Sequence, residues 1–206
     1  MELGEIERAY TSSHRRGSIE VICGSMFSGK TEELMRRLRR ASIAQLKVEV
    51  YKPAIDTRYD DKNIVSHDAR SFDSNAVDNA QLILLLASDA DVVGIDEAQF
   101  FDESIVYVVE QLADDGKRVV IAGLDLDYKR NPFGSMPALM AVADYVSKVH
   151  AVCMDCGAPA NYSYRLSEQE HQILLGELES YRPLCRNCYL HRVLNPLKQE
   201  PNKQEN

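Results

Sequence analysis

Residues Gly24-Ser25-Met26-Phe27-Ser28-Gly29-Lys30-Thr31 form a Gly-x-x-x-x-Gly-Lys-Thr loop. Successive backbone N–H groups in such a loop converge on an anion, and a helix that starts there adds partial positive charge. Lys30 can reach the β- and γ-phosphates of a nucleotide, and the Thr31 hydroxyl can bind Mg²⁺. A second group is Ile95-Asp96-Glu97-Ala98-Gln99-Phe100-Phe101, an apolar strand that ends in two acids. The carboxylate at that strand end binds the nucleotide's Mg²⁺, often through water, and Glu97 beside it suits a general base. A base there activates water in an ATPase and a substrate hydroxyl in a kinase; the motif alone fits both. The third group is two C-x-x-C knuckles, Cys153 with Cys156 and Cys185 with Cys188. Four thiolates match tetrahedral Zn²⁺ and leave no open position, so the metal would be structural and would fold a small domain. A redox dithiol or four buried free cysteines are the competing readings.

These groups need elements to position them. The apolar run Ile19 to Cys23 reads as a strand before the loop, and Glu32 to Leu38 as the helix after it, with Leu34 and Leu38 facing the core. Lys47 to Tyr51 reads as a second strand stopped by Pro53, and Val92 to Asp96 and Arg118 to Leu124 as buried strands. Helices are expected over 81–88, 104–113 and 136–146. Strands alternating with helices imply a parallel sheet covered on both faces. Residues 54–79 are polar, turn-rich and without a clear period, a length of chain that is often functional. The character changes near His150, where a domain boundary is expected. The expected organisation is a leader at 1–17, a nucleotide-binding α/β domain at 18–149, a zinc module at 150–191 and a polar tail at 192–206. Cys23 reads as a buried apolar residue, and His150, His171 and His191 as surface or structural. The basic run Arg36 to Arg40 reads as a solvated helix face or an interface.

At 206 residues the chain suits one sizeable domain with a small appendage. Its net charge of −8 argues against a nucleic-acid-coating protein. No apolar run approaches a membrane span, and the first residues lack the apolar stretch of a signal peptide. The expectation is a cytoplasmic protein with no membrane partner and no nucleic-acid partner. Its five cysteines then suggest metal or free thiols rather than disulfides.

The motifs in this order resemble the type II thymidine kinase family, the cytosolic thymidine kinases of vertebrates and many bacteria. The matching stretches are GSMFSGKTEELMRRLRR at Gly24 to Arg40, DTRY at Asp56 to Tyr59, SHD at Ser66 to Asp68, IDEAQFF at Ile95 to Phe101, GLDLDYKRNPFG at Gly123 to Gly134, VCMDCG at Val152 to Gly157, YRL at Tyr164 to Leu166 and YRPLCRNC at Tyr181 to Cys188. The resemblance covers roughly Ser18 to Leu190. It implies a P-loop (RecA-like) sheet with a zinc-bearing lasso domain. It implies ATP held by Gly24 to Thr31 with Asp96, Glu97, Ala98 and Gln99, and Mg²⁺ served by Thr31 and Asp96. Glu97 would take the proton from the 5′-hydroxyl of thymidine, giving thymidine monophosphate and ADP. Asp56 and Arg58 would meet the substrate. Met26, Phe101, Leu124, Tyr128 and Phe133 would form apolar walls around the nucleoside, with Ser163 and Tyr181 in contact with it. The lasso positions Gln172, Ile173, Leu174, Leu175 and Gly176 would close over the thymine edge, anchored by zinc on Cys153, Cys156, Cys185 and Cys188. The family also implies a homotetramer and feedback inhibition by thymidine triphosphate.

Three departures bear on specificity. Gln172 to Gly176 match loosely, Tyr128 stands where the family often has Phe, and Ser163 stands where vertebrate members carry Thr. Taken without the resemblance, Tyr181 reads as a core tyrosine, and Asp56 with Arg58 as a plain loop ion pair. The rival reading from another class is a zinc-ribbon P-loop ATPase acting on DNA, against which stands the lack of a strong basic stripe in the cysteine module. A nucleotide sensor without turnover is a weaker third reading, opposed by the apparent base Glu97.

Overall fold

The computed structural model describes residues 17–54, 72–166 and 180–194. Strands β1 (Ser18–Gly24), β2 (Val48–Pro53), β3 (Ser74–Val77), β4 (Val92–Ile95), β5 (Arg118–Leu124) and β6 (Tyr145–Val149) build one six-stranded sheet in the order β3-β2-β4-β5-β1-β6. Every pairing in it is parallel. Helices α1 (Lys30–Ile43), α2 (Gln81–Leu86), α3 (Ser104–Asp114) and α4 (Met136–Val142) connect the strands. The central strands β1, β4 and β5 are rich in Val and Ile and buried on both faces, as a sheet covered twice requires. Ile22, Leu34, Leu38, Val50, Val92 and Val120 pack under α1 on one face. Cys23, Val93, Ile95, Ile105, Val108, Ile121, Met136 and Leu139 pack on the other.

Three expectations need correction. The apolar run 136–146 is not one helix: α4 stops at Val142 and β6 begins at Tyr145. The edge of β1 opposite β5 needs a partner, and Asp144 marks the switch. Its N–H donates to the Ile19 carbonyl at 2.9 Å and its carboxylate accepts from the Ile19 N–H at 2.8 Å. The polar segment 54–79 contains β3, which pairs with β2. Arg37 is not on a solvated face. It is buried and donates to Glu20 at 2.8 Å, to Glu33 at 2.8 Å and to Ser147 at 2.9 Å. Glu20 is fully buried in β1 and also takes Arg118 at 2.6 Å.

Beyond β6 the chain makes two antiparallel pairs, β7 (Ala151–Val152) with β8 (Pro159–Ala160) and β9 (Tyr162–Arg165) with β10 (Tyr181–Leu184). Helix α5 (Arg186–Leu194) follows. Their shared core is small: Ala151, Cys153, Ala160, Tyr162, Leu184 and Tyr189. No helix among the described residues is long and apolar enough to cross a membrane.

Candidate functional site

The site forms where β1 and β4 end. Both strands pair with β5, so their carboxyl ends lie on either side of it. Ligands of open parallel sheets bind in such a place. The loop from Gly24 to Thr31 turns there with Phe27 at φ 63° and Gly29 at φ 81°, both left-handed. Ser28 donates to the Ser25 carbonyl at 2.7 Å, and the Lys30 ammonium donates to the same carbonyl at 2.9 Å. Burial draws the Lys30 pKa below the usual lysine range, and the charges of Glu97, Asp96 and Asp125 oppose that shift. The Thr31 hydroxyl donates to Asp96 at 3.0 Å. Loop and acidic strand end therefore converge, although 65 residues separate those two side chains.

Asp96 has its pKa pushed up to about 6, first by burial and then by the neighbouring charge of Glu97. Glu97 sits in the left-handed region at φ 52°, ψ 37°, and its N–H donates to Asp96 at 2.9 Å. A non-glycine residue held there is uncommon and collects at functional sites. Thr31 and Asp96 offer hard oxygen donors side by side, the donor chemistry that suits Mg²⁺. Ala98 and Gln99 are buried, and both ends of the Gln99 amide are engaged by protein groups, Glu97 and the Leu124 N–H.

The loop is docked on the cysteine module. Ser25 donates to the Ala160 carbonyl at 3.3 Å, and the Met26 N–H donates to the Ser163 hydroxyl at 3.1 Å. Ser163, expected against the nucleoside, is thus buried and tied to the phosphate loop. Phe101 lies in the apolar core. Phe133 packs edge-on against Phe100, with ring centroids 5.5 Å apart. Tyr128, Met26 and Leu124 are half-buried. Tyr181 is buried, as the core reading expects, and Arg165 lies over its ring and that of Tyr128. Asp56, Arg58, His171 and Gln172 to Gly176 lie outside the described residues.

The Sγ atoms of Cys153, Cys156, Cys185 and Cys188 all lie within 4.8 Å of one another, with Cys156 and Cys185 3.6 Å apart. Thiolates about 2.3 Å from a central zinc stand about 3.8 Å from each other. The cluster suits that tetrahedron, and all four cysteines are free of disulfides. His150 and His191 are exposed, and His150 meets Asn161.

Some residues around the site were given no role by the sequence reading. Arg130, at φ 70°, lies over the rings of Tyr162 and Tyr189. Tyr189 donates to the Tyr128 carbonyl at 2.9 Å. Lys148 pairs with the buried Asp125 at 2.6 Å.

A sequence model of the thymidine kinase family matches residues 17–189. The chain is 64% identical over 185 residues to the thymidine kinase of Porphyromonas gingivalis strain W83, covering 90% of this chain and 91% of that one. It is 60% identical over 178 residues to the thymidine kinase of Bacteroides thetaiotaomicron, covering 86% and 89%. It is 50% identical over 184 residues to that of Bdellovibrio bacteriovorus, covering 89% and 90%. Solved structures overlap it loosely: domain III of the Thermotoga maritima replication initiation protein DnaA superposes with a TM-score of 0.41 and 15% identity, over 71% of this chain and 59% of that one, which carries no argument about function. Matched along most of its length both to the family and to relatives at 50–64% identity, the chain belongs to the thymidine kinase family.

Proposed function

We propose the following division of labour for the phosphorylation of thymidine by ATP, the reaction of this family. The loop Gly24 to Thr31 holds the triphosphate through its backbone N–H groups, and Lys30 turns from the Ser25 carbonyl to the phosphates. Thr31 and Asp96 hold Mg²⁺, which when bound neutralises phosphate charge. Glu97 accepts the proton of the thymidine 5′-hydroxyl as that oxygen attacks the γ-phosphorus in line. Such a transfer depends on positioning and charge neutralisation more than on covalent chemistry. The observation that carries this reading is the 3.0 Å contact of Thr31 with Asp96, which brings the phosphate loop beside the base.

The cysteine module, residues 150–191 against a core of 18–149, is held by zinc on its four thiolates. It supports the loop from Leu124 to Gly134, whose Tyr128 carbonyl accepts from Tyr189. With Asp56, Arg58 and Gln172 to Gly176 it completes the nucleoside pocket. Met26, Leu124, Tyr128 and Phe133 are its apolar walls. Phe101 and Tyr181 support those walls from the interior. Cytoplasmic location, a homotetramer and inhibition by thymidine triphosphate belong to the same reading.

The deciding experiment follows labelled phosphate from ATP to thymidine, with deoxycytidine, deoxyadenosine and no nucleoside in parallel. Label in thymidine monophosphate alone is expected. Label released only as free phosphate, whatever nucleoside is present, overturns the reading in favour of an ATPase. Glu97→Gln should lower kcat by about 10²–10⁴-fold with ATP binding intact; near-parent turnover removes Glu97 as the base.

A further inference from the structure

We propose that Gln99 is a positioning residue for Glu97, an assignment that builds on Glu97 as the base. Gln99 is 3% exposed. Its Nε2 donates to the Glu97 carboxylate at 2.5 Å, and its Oε1 accepts from the Leu124 N–H at 2.9 Å. A carboxylate accepts only and a backbone N–H donates only, so one orientation of the amide satisfies both. The side chain is therefore a rigid strut between the base and the end of β5, the strand that separates the phosphate loop from the acidic strand end.

The surroundings are shaped to this strut. A Cβ at Gly123 would lie 2.9 Å from Gln99 Oε1 and 2.5 Å from Met136 Sδ. A Cβ at Gly134 would lie 2.1 Å from the Gln99 carbonyl oxygen, and Gly134 has φ 49°. Glycine at both positions lets β5 and the end of the following loop close on Gln99. The strut acts on a side chain with three rotatable bonds, whose backbone is already held in the left-handed region. It aims the carboxylate by a neutral hydrogen-bond donor. Gln99 thus serves the reaction without touching the nucleotide.

The test uses two variants. Gln99→Met removes both polar ends at similar volume. Gln99→Glu keeps an acceptor for the Leu124 N–H and turns the donor facing Glu97 into an acceptor. Both are expected to lower kcat about 10–100-fold, the usual cost of losing a group that orients a reacting one. KM for ATP and for thymidine should stay within about twofold, since no substrate contact is lost. In a Glu97→Gln background, adding Gln99→Met should cost less than about twofold, because the carboxylate it aims is gone. A kcat within about twofold of the parent in Gln99→Met overturns the proposal, as does a full further loss in the Glu97→Gln background. A raised KM for ATP at unchanged kcat also overturns it and returns Gln99 to the nucleotide. A slow Glu97→Gln beside a fast Gln99→Met removes Gln99 alone, whereas a fast Glu97→Gln removes the base and this proposal with it.

Discussion

The parallel sheet and the cysteine module stand side by side and are held by different means. Both faces of the sheet carry extended clusters of fully buried Val, Ile and Leu, and burying each such side chain contributes about 1.5–3 kcal/mol. Among the described residues the module gathers six in its core, two of them tyrosines and one a cysteine. The Tyr189 ring lies 5.4 Å from that of Tyr162 and 5.8 Å from that of Tyr164. Arg130 and Arg186 cover Tyr162, and Arg192 covers Tyr164 while donating to Asp155 at 2.7 and 2.8 Å. The rings supply most of the apolar area of this interior, and half-buried or exposed guanidinium groups cover them. A core this small generally needs a metal or a cross-link to fold. The proposed chemistry is divided the same way: the phosphate loop and Glu97 belong to the part held by burial, and the loop around Tyr128 leans on the part whose four cysteines could hold zinc.

Removing the metal should separate the two most sharply. Structural zinc typically supplies about 10–16 kcal/mol of apparent folding free energy. Chelation, or Cys153→Ser with Cys156→Ser, is expected to abolish the near-ultraviolet tyrosine signal of the module and thymidine binding. ATP binding and far-ultraviolet helix content should persist, and unchanged thymidine kinetics in protein shown by metal analysis to be zinc-free would remove the metal from this role. A large effect on the other side comes from Glu20→Ala. It removes the buried carboxylate that Arg37 and Arg118 share beside β1 and leaves Arg37 with Glu33 and Ser147, which should cost about 3 kcal/mol in urea denaturation. A loss below about 1 kcal/mol would mean that water reaches these guanidinium groups.

A smaller effect probes the seam. Tyr189→Phe deletes the hydroxyl that reaches the Tyr128 carbonyl at 2.9 Å. About 1 kcal/mol of stability should go, with a modest rise in KM for thymidine and none for ATP. Equal rises for both substrates would show that the module acts on the whole site. The smallest effect is in the first turn of α1. Arg36 and Arg37, which donate to Glu33, hold its carboxyl down at about 2, against an ordinary value of 4.5. A depressed carboxyl pKa stabilises the fold above the unfolded value, and that gain is lost as pH falls from about 4.5 toward about 2. Glu33 is half-buried and its partner Arg36 is exposed, so screening leaves about 0.5 kcal/mol. Glu33→Gln should lower Tm slightly at pH 7, with the deficit shrinking at pH 3; a deficit constant with pH would assign the loss to packing.

Much of the site is legible in the order of the residues. The phosphate loop, the acidic strand end and the C-x-x-C knuckles each work through neighbours close in the chain, so spacing carries their meaning. The alternating pattern of strands and helices likewise announces a parallel sheet, because strands buried on both faces read as continuous apolar runs. The stretch 136–146 misleads for the complementary reason. It is apolar enough for a helix throughout, and its last residues become β6 because β1 has an open edge to fill.

Local spacing alone therefore named the candidate phosphate, base and thiolate residues and the α/β class that positions them, since backbone N–H convergence, each C-x-x-C knuckle and burial patterns depend on near neighbours. The fold decided which of the charged and polar groups are buried and what they hold. Glu20 meets Arg118 across 98 residues, Met26 meets Ser163 across 137, and Gln99 reaches Leu124 across 25. A buried polar group is stable only when its partner arrives with it, and that partner is named by the packing of the sheet, not by the order of the chain.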